Sequence, residues 1–331
     1  MREAMFYQPE GAGVRCQLCP HGCVLTTQQA GRCRVRYHQD GRLYTANFGL
    51  CTSVGIDPME KKPLYHFYPG EHILSVGTKG CNLKCQHCQN WSIAHGEPSV
   101  YQLMPEDLVE LVCKPRTDVQ SIGIAYTYSE PSVWYEYVLS TAQLAQRAGL
   151  KNVLVTNAFI NQEPLLQLVP FIDAMNIDIK GFTEEFYRKV CGGGLAQVLE
   201  ATRLAAQHCH VEITTLVIPG LNDASEEIAQ LSCWVADNLG KEVPLHLSRY
   251  FPNYQLEYPP TPLETLQRSK EIAQGYLKYV YVGNVPGEDN NTHCPKCGII
   301  VIRRGELGVE LVGLTESNTC KQCGQEIPII R

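Results

Sequence analysis

The sequence contains no apolar run that approaches the roughly 18 residues of a membrane-spanning helix. Its opening segment, MREAMFYQPEGAGVRCQLC, also lacks the apolar stretch of a secretory signal. Charged residues are scarce, at 19%, and 28 basic against 34 acidic residues give a net charge of −6, whereas a general nucleic-acid binder is basic. Glycine and proline, at 27 and 20 of 331 residues, are too few for a collagen-like or disordered chain. We therefore expect a folded cytoplasmic protein without a membrane or nucleic-acid partner.

Cysteine, by contrast, is abundant, with 16 residues. Because a reducing cytoplasm rarely supports disulfides, we expect many of these cysteines to be metal ligands. Most of them fall into three groups, one near the start of the chain, one before its middle and one near its end. The groups are Cys16, Cys19, Cys23 and Cys33; Cys81, Cys85 and Cys88; and Cys294, Cys297, Cys320 and Cys323. Three groups predict three metal sites.

Short β-branched runs alternate with helical patterns through the long central part of the chain. We predict strands over residues 72–78, 119–126, 152–157, 174–180, 211–217, 244–250 and 278–284. Helices are predicted from residue 105 and over 132–148, 195–208, 224–239 and 262–277. Such alternation is typical of βαβ units. The predicted fold class is therefore α/β, a partial (β/α)6-type barrel with chemistry at the carboxyl ends of its strands.

The second cysteine group follows the first predicted strand directly, in the segment GTKGCNLKCQHCQNW. Three thiolates on a short loop can hold three irons of a 4Fe–4S cube and leave the fourth iron open for chemistry. The alternative is a zinc site completed by His87 or by a distant residue.

This C-x3-C-x2-C loop resembles the signature of radical S-adenosylmethionine (SAM) enzymes, and the resemblance covers about residues 66–285. It implies a 4Fe–4S cluster on Cys81, Cys85 and Cys88, with SAM bound beside it and His87 near the adenine. The implied reaction is reductive cleavage of SAM to a 5′-deoxyadenosyl radical, which abstracts a hydrogen atom from a substrate. A low-potential electron donor is then a required partner.

Further SAM contacts follow from the same resemblance. Tyr128-Ser129-Glu130 occupies the place of a Gly-Gly-Glu motif whose carboxylate binds the SAM amino group, and only the glutamate matches. Thr156 and Asn157, at the end of the third predicted strand, are expected to line the SAM site as well. The alternative role for Glu130 is a carboxylate at a helix N-terminus.

Asp178 and Lys180 form an Asp-x-Lys pair at the end of the fourth predicted strand, which resembles glycyl-radical activating enzymes such as the pyruvate formate-lyase activating enzyme. Residues two apart in a strand share a face, so Lys180 is implied to face the SAM carboxylate; an internal salt bridge is the alternative. Cys191 follows in the glycine-flanked segment VCGGG. Its thiol is a candidate contact for the substrate or a hydrogen-atom donor, or else a small core residue.

A second resemblance extends over nearly the whole chain. Residues 57–70, DPMEKKPLYHFYPG, together with residues 80–91, look like the radical SAM member of the AmmeMemoRadiSam group, whose genes accompany AMMECR and Memo-type proteins. These proteins are therefore candidate partners. The substrate can be a small molecule, or a partner protein that is activated to a glycyl radical. An inactive metal-stabilised redox scaffold and a nucleic-acid-modifying enzyme are less consistent with the intact cluster motif and the acidic charge.

The two terminal cysteine groups define the remaining domains, so that we divide the chain at 1–65, 66–285 and 286–331. The C-terminal spacing, C-x2-C-x22-C-x2-C with glycine after each pair, predicts a zinc-ribbon-like domain. The N-terminal group, C-x2-C-x3-C-x9-C, is compatible with zinc or with a second iron–sulfur cluster. We favour zinc there.

Overall fold

The computed structural model describes residues 2–114, 120–305 and 308–331. The N-terminal part forms short antiparallel strands, which are β1 Arg2–Glu3, β2 Tyr7–Glu10, β3 Gly13–Cys16, β4 Val24–Leu25, β5 Arg36–Gln39, β6 Arg42–Thr45 and β7 Leu50–Cys51. They pair in the orders β1-β6-β5 and β2-β3-β4, while β7 pairs with a later strand.

An eight-stranded sheet forms the centre of the molecule. Its strands are β8 Ser53–Pro58, β9 His72–Gly77, β11 Gly123–Tyr126, β12 Lys151–Thr156, β13 Ala174–Asp178, β14 His210–Val217, β15 Leu245–Arg249 and β16 Val280–Gly283. Seven of them, from β9 to β16, run parallel in chain order, and β8 joins the β9 edge in antiparallel orientation. The two-residue strand β10, Tyr101–Gln102, lies outside this sheet and pairs with β7.

Helices connect the parallel strands. They are α1 Trp91–Ala94, α2 Pro105–Cys113, α3 Tyr135–Arg147, α4 Gln162–Leu168, α5 Glu184–Phe186, α6 Leu195–Ala205, α7 Ser225–Asn238 and α8 Leu263–Gln274. Three 3-10 turns lie at Met59–Lys61, Pro131–Trp134 and Val169–Phe171, and one π-helical turn lies at Tyr187–Cys191. No helix in this described part of the chain is both long and apolar enough for a bilayer crossing.

The predicted α/β class and all seven predicted strands are confirmed. The predicted second strand begins at Val119, which lies outside the described residues; the observed strand begins at Gly123. Its four residues are all buried, as expected for a parallel strand covered on both faces. The helix predicted from Ser132 starts later, because Pro131–Trp134 forms a 3-10 turn that the Glu130 side chain caps.

The edge strand β8 was not predicted. Its sequence, SVGIDP, contains glycine and proline and is only partly buried, so it lacks the apolar signal of the inner strands. It lies within residues 1–65, so this region contributes one strand to the central sheet. The division into three domains stays a prediction.

The C-terminal part forms a small antiparallel sheet with its own apolar cluster, which includes Ile302, Leu314 and Ile327. Its strands are β17 Thr292–His293, β18 Ile300–Gly305 and β19 Gly308–Glu310. The end of the chain returns to the barrel, where the Ile330 N–H donates to the His66 carbonyl at 2.8 Å and the Ile330 carbonyl accepts from the Tyr68 N–H at 2.7 Å.

Candidate active site

An open cavity lies at the carboxyl ends of the parallel strands, as the fold class predicts. It contains about 940 Å³ of space free of protein atoms, including solvent at its mouth. The loop after β9 and the ends of β11 to β15 supply its walls. All nine residues predicted to bind the cluster or SAM line this one cavity, namely Cys81, Cys85, His87, Cys88, Glu130, Thr156, Asn157, Asp178 and Lys180.

The cysteine loop is fixed to the strand ends by a side-chain amide. Asn157 Nδ2 lies 3.7 Å from Cys81 Sγ and donates to Asn82 Oδ1 at 3.0 Å. Amide donors directed at cysteine sulfurs are among the groups that tune iron–sulfur clusters. The asparagine was predicted as a SAM residue, and its contacts place it against the cysteine loop.

The three cysteines of the loop are spread rather than gathered. Within the described ranges, two groups of ligand atoms lie mutually within 4.8 Å, and the one nearest this loop consists of Cys85, His87 and Cys191. It omits Cys81 and Cys88, so the alternative of one zinc ion held by all three loop cysteines and His87 has no support in the geometry. Cysteines that bind different corners of a cluster need not meet at one point.

His87 brings a neutral ring to the cavity wall. Its side chain is 4% exposed, and burial, with a smaller effect of the Lys180 charge, lowers its pKa to about 3. Its Nδ1 atom is buried and has no hydrogen-bond partner among the residues that the structure describes. A buried polar atom without a partner is costly, so this imidazole is suited to a ligand that stacks on it or bonds to it.

Glu130 is held in place before any ligand binds. Its Oε1 atom accepts hydrogen bonds from the Ser132 N–H at 3.0 Å and the Thr156 hydroxyl at 2.7 Å, and its Oε2 atom accepts from the Asn157 N–H at 2.8 Å. Burial raises the pKa of this carboxyl, and the hydrogen bonds offset part of that rise. Through the bond from Ser132, Glu130 caps the following turn, which is the alternative role that we considered. The same carboxylate also lines the cavity.

Asp178 and Lys180 both reach the cavity and form an ion pair, with 3.1 Å between Nζ and Oδ2. Burial lowers the pKa of Lys180, but the Asp178 carboxylate together with the Cys85 and Cys191 sulfurs more than offsets it, so the pKa is raised and the amine stays charged. The Asn222 amide donates to the Lys180 carbonyl at 2.8 Å and so fixes the strand end from behind. The salt-bridge alternative is thus observed, at the wall of the cavity.

Cys191 lies behind the cysteine loop. It is fully buried and is not among the residues that line the cavity. Its Sγ lies within 4.8 Å of Cys85 Sγ, and its carbonyl accepts from the Lys84 N–H at 2.7 Å. Cys191 therefore supports the loop from outside the cavity, and its contact with a substrate stays a prediction.

The segment 57–70 reaches the cavity wall through Tyr128, a residue with a positive φ of 67°. The Tyr128 hydroxyl donates to Asp57 Oδ2 at 3.0 Å, and Lys62 Nζ lies 2.8 Å from the same oxygen. Burial alone would raise the pKa of Asp57, but the bond and charge of Lys62 lower it to about 2. This contact was not predicted from the sequence.

Other lining residues were missed as well, namely Thr214 and Leu216 of β14 and Ser248 of β15. Alternation along the predicted strands could have identified them, because Thr214 and Leu216 are two residues apart and share a face.

The C-terminal cysteines have the arrangement that their spacing predicts. Sγ of Cys294 lies 3.5 Å from that of Cys323, and Sγ of Cys297 lies 3.6 Å from that of Cys320. All four sulfurs lie within 4.8 Å of one another. This arrangement is consistent with the predicted zinc-ribbon-like domain.

Comparison with known proteins agrees with this geometry. Residues 75–232 match the family model of the radical SAM superfamily. The uncharacterized protein MJ0808 of Methanocaldococcus jannaschii is 43% identical over 339 residues, which cover 100% of both chains. SuiB of Streptococcus suis, solved with bound S-adenosylmethionine, aligns with a TM-score of 0.53 at 15% identity over 69% of this chain and 53% of its own. A radical SAM methyltransferase from Sphaerobacter thermophilus gives 0.51 at 14% identity, over 70% and 71%. The two solved structures support the fold alone.

Proposed function

Since the chain belongs to the radical SAM superfamily, we propose that it is an enzyme that holds a 4Fe–4S cluster on Cys81, Cys85 and Cys88 and cleaves SAM reductively. The observation that carries the proposal is that these three cysteines line one cavity together with a buried carboxylate and a half-buried lysine. When bound, the cluster and SAM supply an electron and a 5′-deoxyadenosyl radical that abstracts hydrogen from the substrate.

The residues opposite the cysteines suit the charged groups of SAM. Three of the roughly four acceptor positions of the Glu130 carboxylate are used internally, which leaves one on Oε2 for an ammonium group. Lys180 presents a charged amine that can pair with a carboxylate. The neutral His87 ring offers a flat surface for the adenine. Opposite charges on two sides of one cavity fix the orientation of a ligand that carries both.

The cavity is also suited to keep a reactive radical away from water. Leu83, Val155 and Leu216 line it between the polar groups, and apolar walls leave few positions where water can bind. No side chain is assigned as a general acid or base, because hydrogen-atom abstraction requires none.

A SAM-binding titration of the anaerobically reconstituted protein tests this assignment. We expect about one SAM per chain, and loss of binding in Cys85→Ala, since an open iron needs the intact loop. Cys113→Ala is the matched control, because Cys113 is an exposed cysteine at the end of α2. Equal SAM binding by wild type and Cys85→Ala would contradict the assignment.

Activation of a partner protein is the second candidate function. The Asp178–Lys180 pair, which resembles glycyl-radical activating enzymes, faces the cavity. Beside its mouth the exposed rings of Trp91 and Tyr254 stack at 5.5 Å, and His95, which lines the cavity, stacks on Tyr254 at 5.8 Å. Exposed aromatic side chains are typical of surfaces that bind other proteins.

Deuterium transfer separates the two substrate classes. An extract of cells grown in deuterated medium is divided by ultrafiltration into a protein fraction and a small-molecule fraction, and each is incubated with the enzyme, SAM and dithionite. Deuterium in the 5′-deoxyadenosine formed with the protein fraction alone supports an activating enzyme. Deuterium from the small-molecule fraction alone excludes it.

We also propose that the C-terminal quartet holds zinc. Four thiolates at about 2.3 Å around one ion are separated by about 3.8 Å in a tetrahedron, close to the observed 3.5 and 3.6 Å. Gly298 and Gly324 have φ values of 77° and 72° directly after each pair, which glycine adopts without strain.

A further inference from the structure

A second, smaller cavity lies in the N-terminal part of the chain. It contains about 340 Å³ of space free of protein atoms, including solvent at its opening. Its walls include all four cysteines of the first group, from the end of β3 to the turn before β5. The lining residues are Cys16, Leu18, Cys19, Cys23, Gly31, Arg32, Cys33, Arg36 and Val133. Four cysteines around one cavity make a metal site, and their separation decides what kind of metal centre fits.

The N-terminal sulfurs are arranged differently from the C-terminal ones. Throughout the described ranges, no three of these four cysteines bring their sulfurs mutually within 4.8 Å, whereas all four C-terminal sulfurs do so. Ligands of one zinc ion must converge on a single point about 2.3 Å away. Ligands of an iron–sulfur cube bind irons at different corners and stand further apart. The four N-terminal sulfurs therefore lie around an open space and do not converge on one point where a single ion could bind them all.

Arg36 is a second, independent indication of a ligand. Its side chain is 1% exposed and forms part of the cavity wall. One amino group donates to the Met5 carbonyl and Nη1 forms an ion pair with Glu136 Oε1 at 3.1 Å, whereas Nε has no hydrogen-bond partner among the described residues. Buried N–H groups without acceptors are rare. The sulfides and thiolates of a cluster are acceptors for such donors.

We propose that Cys16, Cys19, Cys23 and Cys33 hold a second iron–sulfur cluster of the 4Fe–4S type, with Arg36 donating to its sulfur atoms. The proposal favours the second of the two alternatives that the sequence left open, because it considers the separation of the sulfurs as well as their spacing along the chain. The site borders the first cysteine loop, because a Cβ atom added at Gly80 would come within 2.7 Å of the Cys33 carbonyl oxygen.

The test uses the full-length chain with Cys81, Cys85 and Cys88 all changed to alanine, so that the first cluster cannot form. This variant is reconstituted anaerobically with ferrous iron, sulfide and zinc, then desalted and analysed for all three. We expect about four irons and four sulfides per chain at the N-terminal site, with about one zinc at the C-terminal quartet. Mössbauer spectra distinguish a cube from isolated iron.

Two further variants assign the iron. Adding Cys19→Ala and Cys23→Ala is expected to remove the iron and sulfide and leave the zinc, and retained zinc shows that the C-terminal part is still folded. Adding Cys113→Ala instead is expected to change nothing. About two zinc ions without sulfide, or one zinc and no iron, would overturn the proposal. Neither result depends on SAM cleavage, which these variants cannot perform. The proposal of a second cluster can therefore fail or succeed independently of the proposed function.

Discussion

The hydroxyl of Thr156, at the end of β12, donates a 2.7 Å hydrogen bond to the carboxylate of Glu130, which follows the neighbouring strand β11. The Asn157 N–H donates to the other oxygen of the same carboxylate at 2.8 Å. Two strand ends thus orient one buried acid towards the cavity before a ligand arrives. Preorganisation of this kind lowers the entropy cost of binding.

Glu130→Gln is expected to weaken SAM binding by about 10- to 100-fold, because a hydrogen bond to a charged group contributes about 1.5–3 kcal/mol. Thr156→Val, which removes only the orienting hydroxyl, should have a smaller effect. Equilibrium binding to the reconstituted protein measures both, and cluster absorbance checks that the iron is retained. Unchanged SAM affinity in Glu130→Gln would exclude the carboxylate as a SAM ligand.

Lys180→Met is expected to weaken SAM binding by at least about tenfold, since it removes a cation and leaves Asp178 unpaired in the cavity. Lys189→Met is the matched control, because Lys189 pairs with Glu185 on the exposed surface of a neighbouring turn. The double variant Asp178→Asn, Lys180→Met should bind SAM better than Lys180→Met alone, as the unpaired negative charge is gone. A result in which Lys180→Met and Lys189→Met behave alike would contradict this role.

Because His66 is buried as a neutral ring, we expect the protein to lose stability in mild acid. Burial lowers its pKa to about 3, whereas an unfolded histidine titrates near 6.5. The folded-state pKa is depressed, so its contribution is complete above pH 6.5 and is lost as the pH falls from 6.5 towards 3. The neutral ring is required because the Pro328 carbonyl, at 3.1 Å, accepts from Nδ1, which leaves Nε2 to accept from the Tyr281 hydroxyl at 2.8 Å.

Urea unfolding at pH 7.5 and pH 5.0 measures this effect. Between these values the wild type should lose about 2 kcal/mol more of its free energy of unfolding than His66→Gln. Glutamine can replace both hydrogen bonds and does not titrate. Equal losses in the two proteins would show that protonation of His66 is not linked to folding.

Removal of zinc from the C-terminal quartet is expected to detach the end of the chain from the barrel. Cys320→Ala should lose about one zinc per chain, and proteolysis should then cleave within residues 308–331. The contacts of Ile330 with His66 and Tyr68 are the ones at risk. A Cys320→Ala protein that resists protease as the wild type does would show that the metal is not needed for this docking.

Arg36 is expected to raise the reduction potential of the N-terminal cluster, because reduction adds negative charge near its guanidinium. Arg36→Met would leave the buried Glu136 with the Met5 N–H but without its ion-pair partner, so the variant to examine is Arg36→Met with Glu136→Gln. Redox titration followed by electron paramagnetic resonance, in the background that lacks the first cluster, should show a more negative midpoint than the parent. An unchanged or more positive midpoint would argue against hydrogen bonds from Arg36 to the cluster.

The sequence predicted the sheet well because its parallel strands are buried on both faces and are therefore apolar and β-branched. The strand pattern also predicted that the candidate SAM residues lie close together, because Glu130, Thr156 and Asp178 lie at or just after the ends of neighbouring strands. The edge strand β8 was missed because an edge carries no such continuous apolar signal, and proline can occupy it.

The failures concern contacts between segments that are far apart in the chain. Cys191 packs behind Cys85 because a π-helical turn over Tyr187–Cys191 redirects the backbone. No local sequence pattern predicts such a turn. The link from Asp57 to Tyr128 depends equally on a strand pairing that the sequence did not reveal. The spacing of cysteines along the chain likewise does not show whether their sulfurs converge on one ion or stand apart around a cavity.

Formation of 5′-deoxyadenosine is the most direct test of the central claim, that this cavity cleaves SAM. The reconstituted protein is incubated without oxygen with SAM and dithionite, and the product is quantified by mass spectrometry. We predict product in the wild type and in Cys113→Ala, and none in Cys85→Ala. Product formed equally by Cys85→Ala, or none from a wild type that holds its cluster and binds SAM even after cell extract is added, would contradict the account.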